Sequence, residues 1–163
     1  KEILAWISED LGIDTKRIHE FEVPDKDRAH YSKRTVDFMY EFPFGESELY
    51  GLAYRTDFDL KNHAEVSGQN LMYRDQETNE EFFPHVIEPT WGVDRSVLAV
   101  LVEGYTEEGE RIFLKLPAKL APVKVAVFPL LANKPKLIEV ARRIYEDLKQ
   151  DFDSTLIVEF YSR

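Results

Sequence analysis

Three groups of residues combine side-chain types and spacings that could do chemistry. The first is Phe44-Gly45-Glu46-Ser47-Glu48-Leu49-Tyr50-Gly51-Leu52-Ala53-Tyr54-Arg55, which puts a carboxylate and a guanidinium on one extended segment. Glu48 and Arg55 point to opposite faces of a regular strand. A bulge or twist near Gly51 would bring both to one cleft. The second is Pro84-His85-Val86-Ile87-Glu88-Pro89-Thr90-Trp91-Gly92-Val93-Asp94-Arg95. Here a strand is expected to deliver Glu88 and to stop at Pro89. A tight turn over Pro89-Thr90-Trp91-Gly92 follows, and a helix begins with Arg95 in its first turn. Backbone N–H groups and the helix dipole at that end favour an anion, so an arginine there calls for a negative partner. A ligand phosphate fits, and so does a surface pair with Asp94 or Glu88. The third group is Asp57, Asp59, His63 and Glu65. Asp59 and His63 at i, i+4 could hold a metal, but helix capping and a surface histidine account for the same residues.

The elements that must position these groups follow from periodicity. Ile3, Leu4, Ile7 and Leu11 lie at helical spacing before Gly12. Ile18–Val23 reads as a short strand closed by Pro24, and the charged stretch 25–34 as a loop or short helix. From Thr35 the pattern alternates, with Val36, Phe38, Tyr40 and Phe42 on one face and Asp37, Met39 and Glu41 on the other, as in a half-buried strand. A second strand is expected over 49–55. Residues 56–59 offer caps for a helix over 60–66 that Ser67-Gly68 ends. Strands are expected over 70–74, 82–88 and 112–116, with a charged loop over 75–81 and a helix over 93–104. The apolar run 123–130 reads as a strand covered on both faces. An amphipathic helix over 137–148 and a β-rich run over 155–161 then complete a βαβ unit.

The chain has 163 residues, of which 44% are hydrophobic and 13% aromatic, which excludes a disordered chain. Its net charge of −10 argues against a basic nucleic-acid coat or membrane-surface binder. The charge is uneven: residues 1–114 carry 12 basic and 25 acidic side chains, and residues 115–163 carry 9 and 6. That change of sign suggests two modules facing different partners, although basic helix faces are often simply solvated. Cysteine is absent, which removes disulfides, thiolate metal sites and a catalytic thiol. His19, His30 and His85 lack zinc-site spacing. There is no Gly-rich phosphate loop and no serine nucleophile elbow. No apolar run approaches the ~20 residues of a membrane span. Position 1 is Lys, so the chain is expected to have lost its start or to be a piece of a longer one.

In this order the groups resemble the glycyl-tRNA synthetases, of the class II aminoacyl-tRNA synthetases. The resemblance rests on Glu41-Phe42-Pro43-Phe44-Gly45 with residues 48–60, on residues 84–95, which are similar to the class II motif 3, and on residues 116–125, which resemble the passage into the family's anticodon-binding domain. It implies an α+β fold: the antiparallel sheet with helices of a class II catalytic domain over 1–117, and the first βαβ of an α/β anticodon-binding domain over 118–163. Motifs 1 and 2 would lie upstream of Lys1, so the portion is expected to be inactive alone. Thr90 stands where the family usually has Ser and keeps the hydroxyl.

The activity implied is that of a ligase of protein biosynthesis, which activates glycine with ATP to glycyl-adenylate and passes the glycyl group to tRNA(Gly). Arg55 and Arg95 would be catalytic. Glu48, Arg55, Gly92 and Arg95 would bind ATP, with Glu48 ligating Mg²⁺. Glu88 and Thr90 would bind glycine. The resemblance further implies a cytoplasmic homodimer with no membrane partner, and a tRNA-facing role for the basic stretch 115–149. The alternative is a non-enzymatic synthetase-like accessory or nucleic-acid-binding subunit, which should have lost the charged ligand-holding residues that this chain keeps.

Overall fold

The computed structural model describes residues 1–151 and 157–160. Contacts divide the chain into two compact units, one ending at Lys115 and one beginning at Leu116.

The first unit opens with helix α1 (Glu2–Glu9), after which Gly12 takes φ +69° to reverse the chain. A 3-10 turn (Thr15–Arg17) leads into β1 (Ile18–Glu22), β2 (Arg34–Phe42) and β3 (Gly45–Thr56). Helix α2 (Phe58–Ser67) ends on Gly68 in the left-handed region, as its sequence predicts. Then come the two-residue strands β4 (Tyr73–Arg74) and β5 (Glu81–Phe82), then β6 (Val86–Trp91) and α3 (Val93–Gly104), and the hairpin β7 (Tyr105–Glu108) with β8 (Arg111–Leu114). Strands β1, β2, β3 and β6 form one antiparallel sheet in the order β1-β2-β3-β6.

The alternation read in β2 is realised. Phe38, Tyr40 and Phe42 are buried, and they meet Leu49 and Tyr50 of β3, Ile7 of α1 and Ala99 of α3. Ala99 is fully buried and has only a methyl group, so α3 can lie close on the sheet. The Tyr40 hydroxyl donates to Glu103 Oε1 at 2.7 Å, and Arg17 donates to the same oxygen at 3.0 Å. This satisfies the polar end of an otherwise apolar contact between α3 and the sheet.

Strand β3 carries two extra residues. Against β2, Phe38 pairs with Tyr50 and Met39 with Glu48, so Leu49 is the inserted residue. Against β6, Tyr54 pairs with Ile87 and Thr56 with Val86, so Arg55 is inserted. Both are β-bulges, and each re-aims the side chains around it.

Several expectations need correction. Pro89 neither stops a strand nor opens a tight turn: β6 runs through it to Trp91, with Pro89 opposite Leu52. Among the described residues β6 pairs only with β3, and an edge strand tolerates a missing donor. The single strand expected over 82–88 is two, because Glu81 and Phe82 turn back onto β4 before Pro84. The strand expected over 70–74 is reduced to its last two residues. Strand β3 starts four residues early, since Pro43 and Phe44 form a turn tight enough for Gly45 to pair with Phe42. Strand β7 was not foreseen in its acidic sequence. Asp57 precedes α2 without a side-chain cap bond, because its carboxylate is taken by Lys61 at 2.6 Å.

In the second unit β9 (Val123–Val127) and β10 (Ile157–Phe160) pair in parallel on either side of α4 (Pro135–Asp151), the βαβ order expected. Thr155, Leu156 and Tyr161 of the expected last strand lie outside the described residues. Strand β9 is half-buried rather than covered on both faces, and Phe128 and Leu130 beyond it are exposed.

Leu49 is 2% exposed at the bulge that sets the register of β3. Leu49→Ala should therefore cost about 2–5 kcal/mol, read as a lower midpoint in urea unfolding with an unchanged slope.

Candidate functional site

The face of the sheet opposite the core carries the sequence-predicted site. Register places Asp37, Gly51 and Thr90 in one row across β2, β3 and β6, and Thr35, Ala53 and Glu88 in the next. The central residue of each row is the smallest in it, so a hollow opens between the outer strands. It becomes a cleft of about 370 Å³, lined by Asp37, Glu48, Gly51, Glu88 and Thr90 and walled by the loop before β2, including Tyr31. A Cβ built on Gly51 would lie 3.5 Å from Glu48 Oε1 and 3.7 Å from Asp37 Oδ1, so both carboxylates overhang that glycine.

Glu48 shares this face because of the bulge at Leu49, which puts Glu48 opposite Met39. Arg55 reaches the same region from the second bulge. Its Nη1 donates to Glu88 Oε2 at 2.5 Å, and its Nε and Nη2 donate to the two oxygens of Asp59, each at 2.7 Å. The guanidinium lies over the Tyr31 ring at 3.9 Å. Thr56, next along, is held at φ +55°, a costly conformation for a β-branched residue, where the chain swings from β3 into α2.

Arg95 stands on the first turn of α3, exposed, and donates through Nη1 to the backbone carbonyl of Glu48. Neither Asp94 nor Glu88 pairs with it among the described residues, so the surface-pair reading of Arg95 does not hold. A Cβ on Gly92 would stand 3.7–3.8 Å from the Arg95 side chain, in ordinary contact with it. Ser96 donates to the Gly92 carbonyl and meets the Tyr50 hydroxyl, both at 2.7 Å, which ties the start of α3 to the core.

Glu48, Glu88 and Thr90 therefore meet in one cleft. Arg55 is joined to it through Glu88, Arg95 through the Glu48 carbonyl, and Gly92 sits behind Arg95. The third sequence group dissolves: Asp57 pairs with Lys61 and Asp59 with Arg55. No group of three His, Asp or Glu that could hold a metal ion exists among the described residues. Sequence reasoning missed Asp37, Tyr31 and the use of Asp59. Alternation in β2 already put Asp37 on the non-core face, and its position opposite a glycine was the available signal.

Electrostatics follow from these contacts. Burial and then the neighbouring Glu48 charge push the Asp37 carboxyl above its ordinary value of 3.8. The hydrogen bonds from Arg55 hold Asp59 below that value, and the bond from Lys61 does the same for Asp57. Arg55 is held still more firmly protonated by Asp59 and then Glu88.

No family model matches the chain. A glycine–tRNA ligase of Thermus thermophilus is 46% identical over 88% of this chain and 32% of its own length. One of Cutibacterium acnes is 44% identical over 91% and 34% respectively, and one of Ureaplasma parvum 41% over 90% and 32%. The chain thus matches a segment of these glycine–tRNA ligases. It spans about a third of the length of the curated relatives it matches. No helix among the described residues is long and apolar enough to cross a membrane.

The raised Asp37 carboxyl gives a pH signature. The folded state holds this proton more tightly than the unfolded one, so its contribution is full below the unfolded value near 3.8 and is lost as pH rises through the folded value. Asp37→Asn should thus raise the melting temperature of this chain at pH 7, with a gain that shrinks toward pH 4. A thermal-unfolding series over pH 4–7 checks it, and a gain that grows on acidification would contradict it.

Proposed function

We propose that this chain is part of the amino-acid activation site of a glycine–tRNA ligase, joining glycine to ATP as glycyl-adenylate and then to tRNA(Gly). One observation supports this best: Glu48, Glu88 and Thr90 line a single cleft whose rim is anchored by Arg55 and Arg95. On this reading residues 1–117 are part of a class II catalytic domain, and residues 118–163 begin an anticodon-binding domain. Lys136, Arg142, Arg143 and Lys149 of α4 would then contribute to a tRNA-facing surface. The intact enzyme would be a cytoplasmic homodimer.

Glycine's carboxylate oxygen attacks the α-phosphorus of ATP. A carboxyl–phosphate anhydride bond forms, the bond to the β-phosphate oxygen breaks, and pyrophosphate leaves with that electron pair. Side chains have little covalent work here, so positioning and charge neutralisation carry the rate. Glu88 accepts the glycine ammonium, with Thr90 hydrogen-bonding beside it. Arg95 holds the γ-phosphate through its guanidinium fork. Arg55 acts near the nucleotide and the adenylate from its place beside Glu88. Gly51 lets substrate approach the backbone of β3 closely.

The residues present fit Mg²⁺ only in company with a nucleotide. Among the described residues no three His, Asp or Glu are grouped to hold a metal ion, but Mg²⁺ characteristically takes one or two carboxylates and fills its shell with phosphate oxygens and water. Glu48 would supply the protein oxygen, and the ion when bound would offset phosphate charge.

Glycine-dependent ATP–pyrophosphate exchange by a full-length ligase carrying this sequence tests the proposal, and its absence would sink it. In that enzyme Arg95→Ala should lower exchange about 10²–10³-fold, the range seen when one charge-stabilising donor is removed. Near-normal exchange would remove Arg95 from the γ-phosphate role.

A further inference from the structure

We infer that Asp59, acting through Arg55, is a positioning residue that sets both the aim and the net charge of the Glu88 carboxylate, with the Tyr31 ring as the backstop. The inference rests on the reading of Glu88 as the ammonium acceptor.

Arg55 is the inserted residue of β3 opposite β6, so its side chain is not held by the pleat and needs other restraints. It has three. Asp59, on the first turn of α2, takes Nε and Nη2 in a two-point fork at 2.7 Å each. Tyr31, from the loop before β2, takes the flat of the guanidinium at 3.9 Å. Only Nη1 is then directed at Glu88, on Oε2. A planar fork fixed along one edge and one face has a single orientation left, and Glu88 inherits it. Its other oxygen, Oε1, is left for the cleft. The side chains of Arg55 and Asp59 are 19% and 20% exposed, against 41% for Glu88, so the clamp is the sheltered part and the working carboxylate the open part.

Charge makes the same point. Arg55 paired with Glu88 alone would be neutral, and its cation would oppose an arriving ammonium. With Asp59 in the chain two negative charges face one positive, and the net −1 falls where an ammonium would bind. Asp59 thus cancels Arg55 so that Glu88 keeps its attraction, while Arg55 keeps Glu88 in place.

The test is ATP–pyrophosphate exchange kinetics in the full-length ligase carrying this sequence. Asp59→Asn should raise the KM for glycine ~10-fold or more, since a charge-assisted fork is lost, and raise it by more than it raises the KM for ATP. Tyr31→Leu should raise the glycine KM ~3–10-fold, and Tyr31→Phe, which keeps the ring, should restore it. An unchanged glycine KM in Asp59→Asn overturns the inference. So does a fall in kcat with both KM values unmoved, which is what a merely structural residue would give. If Asp59→Asn does not fold, the Tyr31→Leu and Tyr31→Phe pair carries the same test. Should the unmodified enzyme activate a different amino acid, the functional reading fails, while that amino acid's KM still tests Asp59. An enzyme that activates none overturns both.

Discussion

Strand β3 has to satisfy two neighbours at once, and the rest of the first unit depends on how it does so. Pairing with β2 and with β6 fixes its register on both edges, yet it is one residue too long for each ladder. The extra residues fall at Leu49 and Arg55, one at each end of the Gly51 segment. Without the first bulge, Glu48 and Gly51 would lie on opposite faces, because side chains alternate along a strand. The inserted Leu49 removes that conflict: it is buried with Tyr50, while Glu48 and Gly51 both reach the cleft. Arg55, the residue inserted at the second, bonds to Asp59 and Glu88. A register fault that costs ladder hydrogen bonds is thus what brings the chemistry to one side.

The cleft is acidic, as the −13 balance of residues 1–114 suggests it would be. Asp37, Glu48 and Glu88 line it, and the one arginine on its wall, Arg28, is bonded to Asp25 and to the Lys33 carbonyl. Asp37 is raised because it is partly buried beside Glu48, with no cation near enough to offset either cause. Asp59 is lowered because it has such a cation. Burial and Glu48 thus raise one carboxylate, while the hydrogen bonds from Arg55 lower the other. An ammonium substrate in the cleft would bring a counter-charge to Asp37 and Glu48 and a second one, beside Arg55, to Glu88.

Long, strongly patterned elements were legible from residues alone. The alternation of β2, the helical stripe of α3 and the βαβ order of the second unit all follow from periods that burial enforces. The convergence of Glu48 with Arg55 was legible as a possibility, conditional on a bulge near Gly51. What could not be read was where the chain would place its irregularities. A bulge is decided by competition between two ladders, and neither ladder is visible in a single segment. Pro89 misled for a related reason: proline stops a central strand but not an edge strand, and edge position belongs to the sheet as a whole. Asp59 was misassigned because local spacing offers it a cap and a histidine four residues on. Its partner is also four residues away, but on the strand side, beyond a positive-φ threonine that no periodicity announces.

Selecting glycine, under the proposed reading, is a problem of exclusion, since the substrate has no side chain to grip. One extra methyl group gives only about 1–3 kcal/mol of discrimination in a yielding pocket. The wall that meets it must therefore resist moving. The loop before β2 is tied down along its length by hydrogen bonds to neighbouring strands. Val23 N donates to Thr35 O at 3.0 Å, Lys33 N donates to Tyr54 O at 2.8 Å, and the Ser32 hydroxyl reaches the Arg34 carbonyl and Thr35 Oγ1, each at 2.8 Å. Tyr31, between these anchors, is pressed against the Arg55 guanidinium on one side and packs near Phe58 on the other. This wall of the cleft is thus pinned to both β2 and β3, and displacing it would mean breaking backbone hydrogen bonds rather than turning a side chain. The ties that hold the wall and the clamp on Arg55 share Tyr31, so the loop and the Glu88 carboxylate are mechanically linked through that guanidinium.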